Sequence, residues 1–133
     1  MPLDVVLQKR LTYAKYLHDV ATAGLRSDNP MAAAEALLRV HDSIEIFQLV
    51  VLDGLGLSGK YEFMDLWEKV KSKTGQEPPY KERLRQLNGM RVAFKHHAIL
   101  PNLSELRELA AAVYPFIAGV SAGLLRVDFR VSV

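Results

Sequence analysis

The chain has no cysteine. Disulfides and thiolate zinc sites are thereby excluded, and the composition suits a reducing, cytoplasmic setting. A basic leader is missing as well. Asp4 stands where a signal peptide would carry positive charge, and no long apolar core follows it, so secretion is not expected. Neither sign of charge dominates: 17 Lys and Arg face 15 Asp and Glu, for a net +2. Outside one short stretch there is no metal-ligand spacing, no phosphate-cradling glycine loop and no Ser/His/Asp arrangement. No metal and no cofactor are therefore expected.

One long run lacks charge altogether, residues 109–125. Its 17 residues sit at the short limit for a membrane span. Gly119-x-x-x-Gly123 within it is a spacing that lets helices approach closely. Pro115 and the many alanines argue instead for a buried central helix, and no membrane association is expected.

What is present is a chain of 133 residues, half of them hydrophobic, which is one domain's worth with enough apolar material for a core. Apolar residues recur at helical spacing through 3–26 (Leu7, Leu11, Ala14, Leu17, Ala21, Leu25) and through 30–52 (Leu37, Val40, Ile44, Phe47, Val51). Asn29-Pro30 reads as a cap followed by the first helical position. His41, Glu45 and Gln48 form a polar stripe beside the apolar one on the second helix. Three glycines between 54 and 59 break that helix. A third helix is expected over 61–73, with Trp67 in the core and Gly75 as its stop. A fourth covers 80–99, and a fifth starts near Asn102 and is kinked or split at Pro115. The spacing thus predicts an all-α, up-and-down bundle of four long helices plus one shorter helix over residues 1–126. Residues 127–133 alternate apolar and polar, which reads as a short C-terminal strand or tail leading to another chain or a further domain.

The polar chemistry gathers in residues 87–102, reading LNGMRVAFKHHAILPN. The charge distribution points to the same region. Residues 1–59 hold 5 basic against 7 acidic side chains (−2), 60–97 hold 9 against 5 (+4), and 98–133 hold 3 against 3. An anionic partner suits that excess, as does an ordinary solvated surface. Asn88 to Arg91 and Arg91 to Lys95 are same-face steps on a helix. Arg91 and His96, five residues apart, are turned by about 140° and would converge only where the helix loosens, near Pro101. Arg offers a permanently charged planar fork for phosphate, and His can move protons near neutral pH. Together they are the minimum set for metal-free RNA cleavage, in which the 2′-OH is the nucleophile. Lys95, His96 and His97 also complement the negative end of a helix.

The phrase LNGMRVAFKHH resembles the signature of the HEPN superfamily (higher eukaryotes and prokaryotes nucleotide-binding), an Arg followed after four to six residues by a His. The second helix, LLRVHDSIEIFQLVVLDGLG, also looks like the family's second helix, in which an acid such as Glu45 faces the Arg/His site. In order and length the resemblance covers about residues 1–125. It implies a dimeric all-α bundle that cleaves RNA without metal, often in toxin–antitoxin or phage-defence systems. Arg91 would hold the scissile phosphate, His96 (alternatively His97) would be the acid or base, and Glu45 would orient them. Asn88, Lys95 and His41 would contact or support substrate. Other members are non-catalytic modules that bind RNA or nucleotide, or assemble larger defence proteins with an antitoxin or fused partner. Two positions depart from the family pattern. Val92 stands where Asn is common after the Arg, and Ala98 stands where one subgroup carries a modifiable Tyr.

Overall fold

A computed structural model describes residues 4–57, 59–126 and Phe129. The chain is all-α over these residues, with no strand among them. Helix α1 spans Val5–Gly24 and α2 spans Pro30–Gly54. Each starts on a side-chain cap. Asp4 Oδ1 accepts the Leu7 N–H at 2.8 Å, and Asn29 Oδ1 accepts the Met31 N–H at 2.8 Å with Pro30 at the first helical position.

The short turn between them folds α1 back along α2. Arg10 pairs with Asp53 at 2.6 Å, Ser43 Oγ donates to the Ala14 carbonyl at 2.6 Å, and Gly24 packs on Ala36. Early residues of α1 thus meet late residues of α2, so the pair is antiparallel. A Cβ on Gly24 would come within 3.3 Å of the Ala36 Cβ, so the smallest residue lets the two helices close at the turn.

The expected third helix begins with a tighter turn. Phe63–Asp65 form one 3₁₀ turn before α3, Leu66–Thr74. Asp65 Oδ2 accepts the Glu62 N–H at 2.8 Å, and Gly75, left-handed at φ 81°, ends α3. Helix α4 spans Lys81–His97, flanked by Tyr80 and Ala98 in left-handed conformations. Of the kink or split expected at Pro115, the structure has the split. Helix α5, Leu103–Ala110, and α6, Val113–Val120, are separated at Ala111–Ala112 because Pro115 has no N–H to give the Ala111 carbonyl four residues earlier. A π turn, Ser121–Leu125, follows.

Side chains from all six helices build one core. A row of rings runs through it: Phe47 edge-on to Phe116 at 5.7 Å, Phe116 to Trp67 at 5.7 Å, Trp67 to Phe63 at 6.4 Å, and Phe63 stacked on His41 at 4.4 Å. The row ends at the polar cluster described below and sets the position of its imidazole. The run Leu103–Leu125 is long and apolar enough by length and composition to cross a membrane, yet half of its most apolar window is buried in the protein. Gly119 and Gly123 lie on its exposed side with open space around them. The strand expected over 127–133 lies outside the described residues except for Phe129, whose ring is buried against Tyr114.

Candidate active site

The polar stripe of α2 meets α4 over His41. The imidazole is 1 % exposed and stacks on Phe63, which the 3₁₀ turn presents. Buried Gln48 fixes that turn, its Nε2 donating to the Phe63 carbonyl at 2.9 Å. His41 Nδ1 lies 3.0 Å from Glu45 Oε1, and Nε2 lies 2.7 Å from Asn88 Oδ1. Asn88 is 47 residues away in sequence and arrives on α4. Arg91 follows one turn along the same face, half-buried, and its Nε is buried without a hydrogen-bond acceptor among the described residues.

Two oxygens around one imidazole would call for protons on both nitrogens. Burial opposes that charge and holds the His41 pKa below its ordinary 6.5; Asn88 and Glu45 pull it back up, and the Arg91 charge pushes it further down. A neutral ring fits the same places once the Asn88 amide is turned by half a turn. Nδ1–H then donates to Glu45, and the Asn88 amide N–H donates to Nε2. Tyr61 closes the Glu45 side. Its hydroxyl donates to the Glu45 carbonyl at 3.3 Å, and burial, with Glu45 and Asp53 nearby, pushes its pKa up to about 12. Tyr61 therefore stays protonated at neutral pH and is no base.

The sequence-predicted residues fall into two groups. Glu45, His41, Asn88 and Arg91 are brought together. Lys95 continues the Arg91 face one turn on and is exposed. His96 and His97 are exposed in the last turn of α4 and make no hydrogen bond or ion pair among the described residues. The helix stays regular through His97, so it does not loosen where convergence was expected. The offset of about 140° between Arg91 and His96 is kept. His41, expected among the substrate contacts, is covered on all sides; it can position Glu45 and Asn88 but offers no open face to a substrate. Val92 is exposed beside the cluster.

Sequence reading missed Phe63 and Tyr61 as parts of this site, since both come from the segment after the glycine break. It also missed a donor set. His41, Asp42 and Glu45 each place one ligand atom within 4.8 Å of the others. The His41–Glu45 step of four residues was the available signal. A cation there would have to break the His41–Glu45 hydrogen bond next to the positive charge of Arg91.

The chain matches no known family model, no curated protein and no solved structure.

The His41 shift has a consequence for stability. Well above pH 6.5 the ring is neutral folded and unfolded, and there is no penalty. Below that value the unfolded chain takes up a proton that the folded chain resists, so stability falls with pH. His18 shifts in the same direction, also through burial. The urea midpoint should therefore drop between pH 7.5 and 5.5. His41→Gln should shrink that drop even though it lowers the midpoint at pH 7.5. An unchanged pH slope in the variant would show that His41 is not held neutral.

Proposed function

We propose that the chain is a metal-independent endoribonuclease of HEPN type, acting in the cytoplasm as part of a toxin–antitoxin or phage-defence system. The observation that carries this reading is Arg91. Its guanidinium is half-buried beside a hydrogen-bonded His41–Glu45–Asn88 group, with Nε lacking an acceptor among the described residues. The Nε itself is covered, so it is the exposed part of this half-buried, permanently charged side chain that would meet an anionic oxygen, and RNA phosphate supplies one. In the proposed reaction the ribose 2′-OH loses its proton and attacks phosphorus, and the bond to the 5′ oxygen breaks. Arg91 neutralises the charge that grows on the phosphorane. His96, or His97, moves the protons.

This reading includes the up-and-down order, with α1, α2, α4 and the α5–α6 pair as the long members and α3 as the short one. It also includes a homodimer. Within one chain His96 faces away from Arg91, so two copies meeting over α4 would complete the site. The exposed Gly119 and Gly123 offer a face where a second copy can approach closely. Sedimentation should show a dimer, and Gly123→Arg should shift it toward monomer while the helical circular dichroism is kept. A wild-type monomer at high concentration would remove the dimer, and partitioning into membranes would bring back the span.

The test of activity is cleavage of single-stranded RNA in EDTA. Products should carry 2′,3′-cyclic phosphate ends, and DNA, lacking the 2′-OH, should survive. The second reading is a non-catalytic module that binds RNA or nucleotide, or assembles a larger defence protein with an antitoxin or fused partner. The regular α4, which holds Arg91 and His96 apart, favours it. RNA binding without cleavage would select it.

A further inference from the structure

A cavity of about 550 Å³ lies where α1, α2 and α5–α6 meet, and it shares no residue with the Arg91 cluster. Leu25, Val40 and Ala110 make it apolar. His18 and Tyr114 add an aromatic pair, ring centres 5.7 Å apart and tilted by 48°. Exposed Arg26 and Arg107 complete it. Its size and its mix of apolar walls with a few polar groups fit a small molecule.

The charges decide which kind. Among the described residues, two of the lining side chains are cationic and none is acidic. The two arginines differ in how they are used. Arg107 is occupied: Nε donates to the Leu25 carbonyl at 2.7 Å, and Nη2 reaches the Ser27 carbonyl at 3.3 Å and Asp28 at 3.2 Å. It pins the turn after α1 and so fixes one border of the cavity. Arg26 has no side-chain hydrogen bond or ion pair among the described residues, and its fork is free.

The rest of the lining also holds polar groups that lack a regular partner. His18 Nδ1 is buried without a hydrogen bond, the Asp19 carboxylate being too far at 3.7 Å. Burial lowers the His18 pKa against the pull of Asp19, so the ring beside the cavity is neutral at neutral pH. Ala111, whose carbonyl Pro115 cannot serve, lines the same space.

We propose that this cavity binds a small amphipathic anion: an aromatic or acyl body carrying one carboxylate or phosphate head. The body packs on Leu25 and against the outer sides of the His18–Tyr114 pair, and the head meets the Arg26 guanidinium. The inference is independent of the ribonuclease reading.

Calorimetric titration of the full chain with 1-naphthoate, 1-naphthyl phosphate and 1-naphthol tests it. Saturable one-to-one binding of at least one anion is expected, and the two anions compared tell which head is preferred. Naphthol should bind about tenfold more weakly, since a hydrogen bond to a charged group is worth roughly that factor or more. Arg26→Ala should weaken the anion about tenfold and leave naphthol unchanged. That residue is exposed and has no partner to lose among the described residues, so the variant should fold. Ala111→Trp should obstruct the space and weaken binding of all three. Arg91→Ala should leave anion binding intact, which separates this cavity from the α4 cluster. No saturable binding of either anion, naphthol binding as tightly as naphthoate, or anion binding indifferent to Arg26→Ala would each overturn the proposal. If Ala111→Trp does not fold, Arg26→Ala and the naphthol comparison still decide it.

Discussion

Under the ribonuclease proposal, replacing Arg91 by alanine should slow RNA cleavage by about a hundredfold to a thousandfold. That is the usual effect of removing one preorganised group that stabilises transition-state charge. Arg91 is suited to that role because α4 holds it half out of water, where its charge is less screened than on a free surface. Its stem is long and its Nε has no competing acceptor among the described residues. Arg91→Lys should recover only part of the rate, since an ammonium cannot make the planar two-pronged contact. His96→Ala should be as damaging as Arg91→Ala if His96 carries the proton. If only His97→Ala is, the site stands with the other histidine. His41→Ala should lower the rate through Glu45 and Asn88 and should cost stability as well, a combination that separates positioning from proton transfer. Val92→Asn places the polar residue common in the HEPN signature that the motif resembles on the exposed flank between Asn88 and His96; it should raise the rate if Val92 marks a weakened enzyme and leave a binding module inert. Cleavage that survives Arg91→Ala would sink the ribonuclease reading. Binding without cleavage in every variant would leave the non-catalytic module.

The largest effect on folding is expected at Trp67. Its ring is fully buried between Phe63 and Phe116, and its Nε1–H donates to the Pro79 carbonyl at 3.3 Å. Trp67→Ala should cost about 3–5 kcal/mol, from lost transfer energy and the cavity left behind. Against a typical total of about 5–15 kcal/mol, that could unfold much of the population. Trp67→Phe should cost less, because the ring row survives. Urea unfolding followed by circular dichroism avoids relying on the removed fluorophore. The same variant loosens Phe63 and, through it, the ring stacked on His41, so activity should fall further than the folded fraction alone explains. A cost under about 1 kcal/mol would mean that Trp67 does not occupy the core in this way.

The sequence alone determined the helices, because their signals are local. Apolar spacing, the cap at Asn29, the start near Asn102, the stop at Gly75 and the missing N–H of Pro115 all act within a few residues. The same locality put Asn88, Arg91 and Lys95 on one face of α4, and His41 with Glu45 on one face of α2. Tertiary structure decided what those faces meet. His41 and Asn88 are 47 residues apart, and no local rule pairs them; packing of α2 against α4 does. It also decided that His41 is buried, since one turn of 3₁₀ helix lays Phe63 across it. The cavity at Arg26 was illegible for the same reason. His18, Val40 and Tyr114 lie on separate helices, and the space between them exists only once those helices are packed. Arg91 and His96 depended on both levels. Their spacing was plain in the sequence, but only the continued helix through His97 fixed them on different sides of α4.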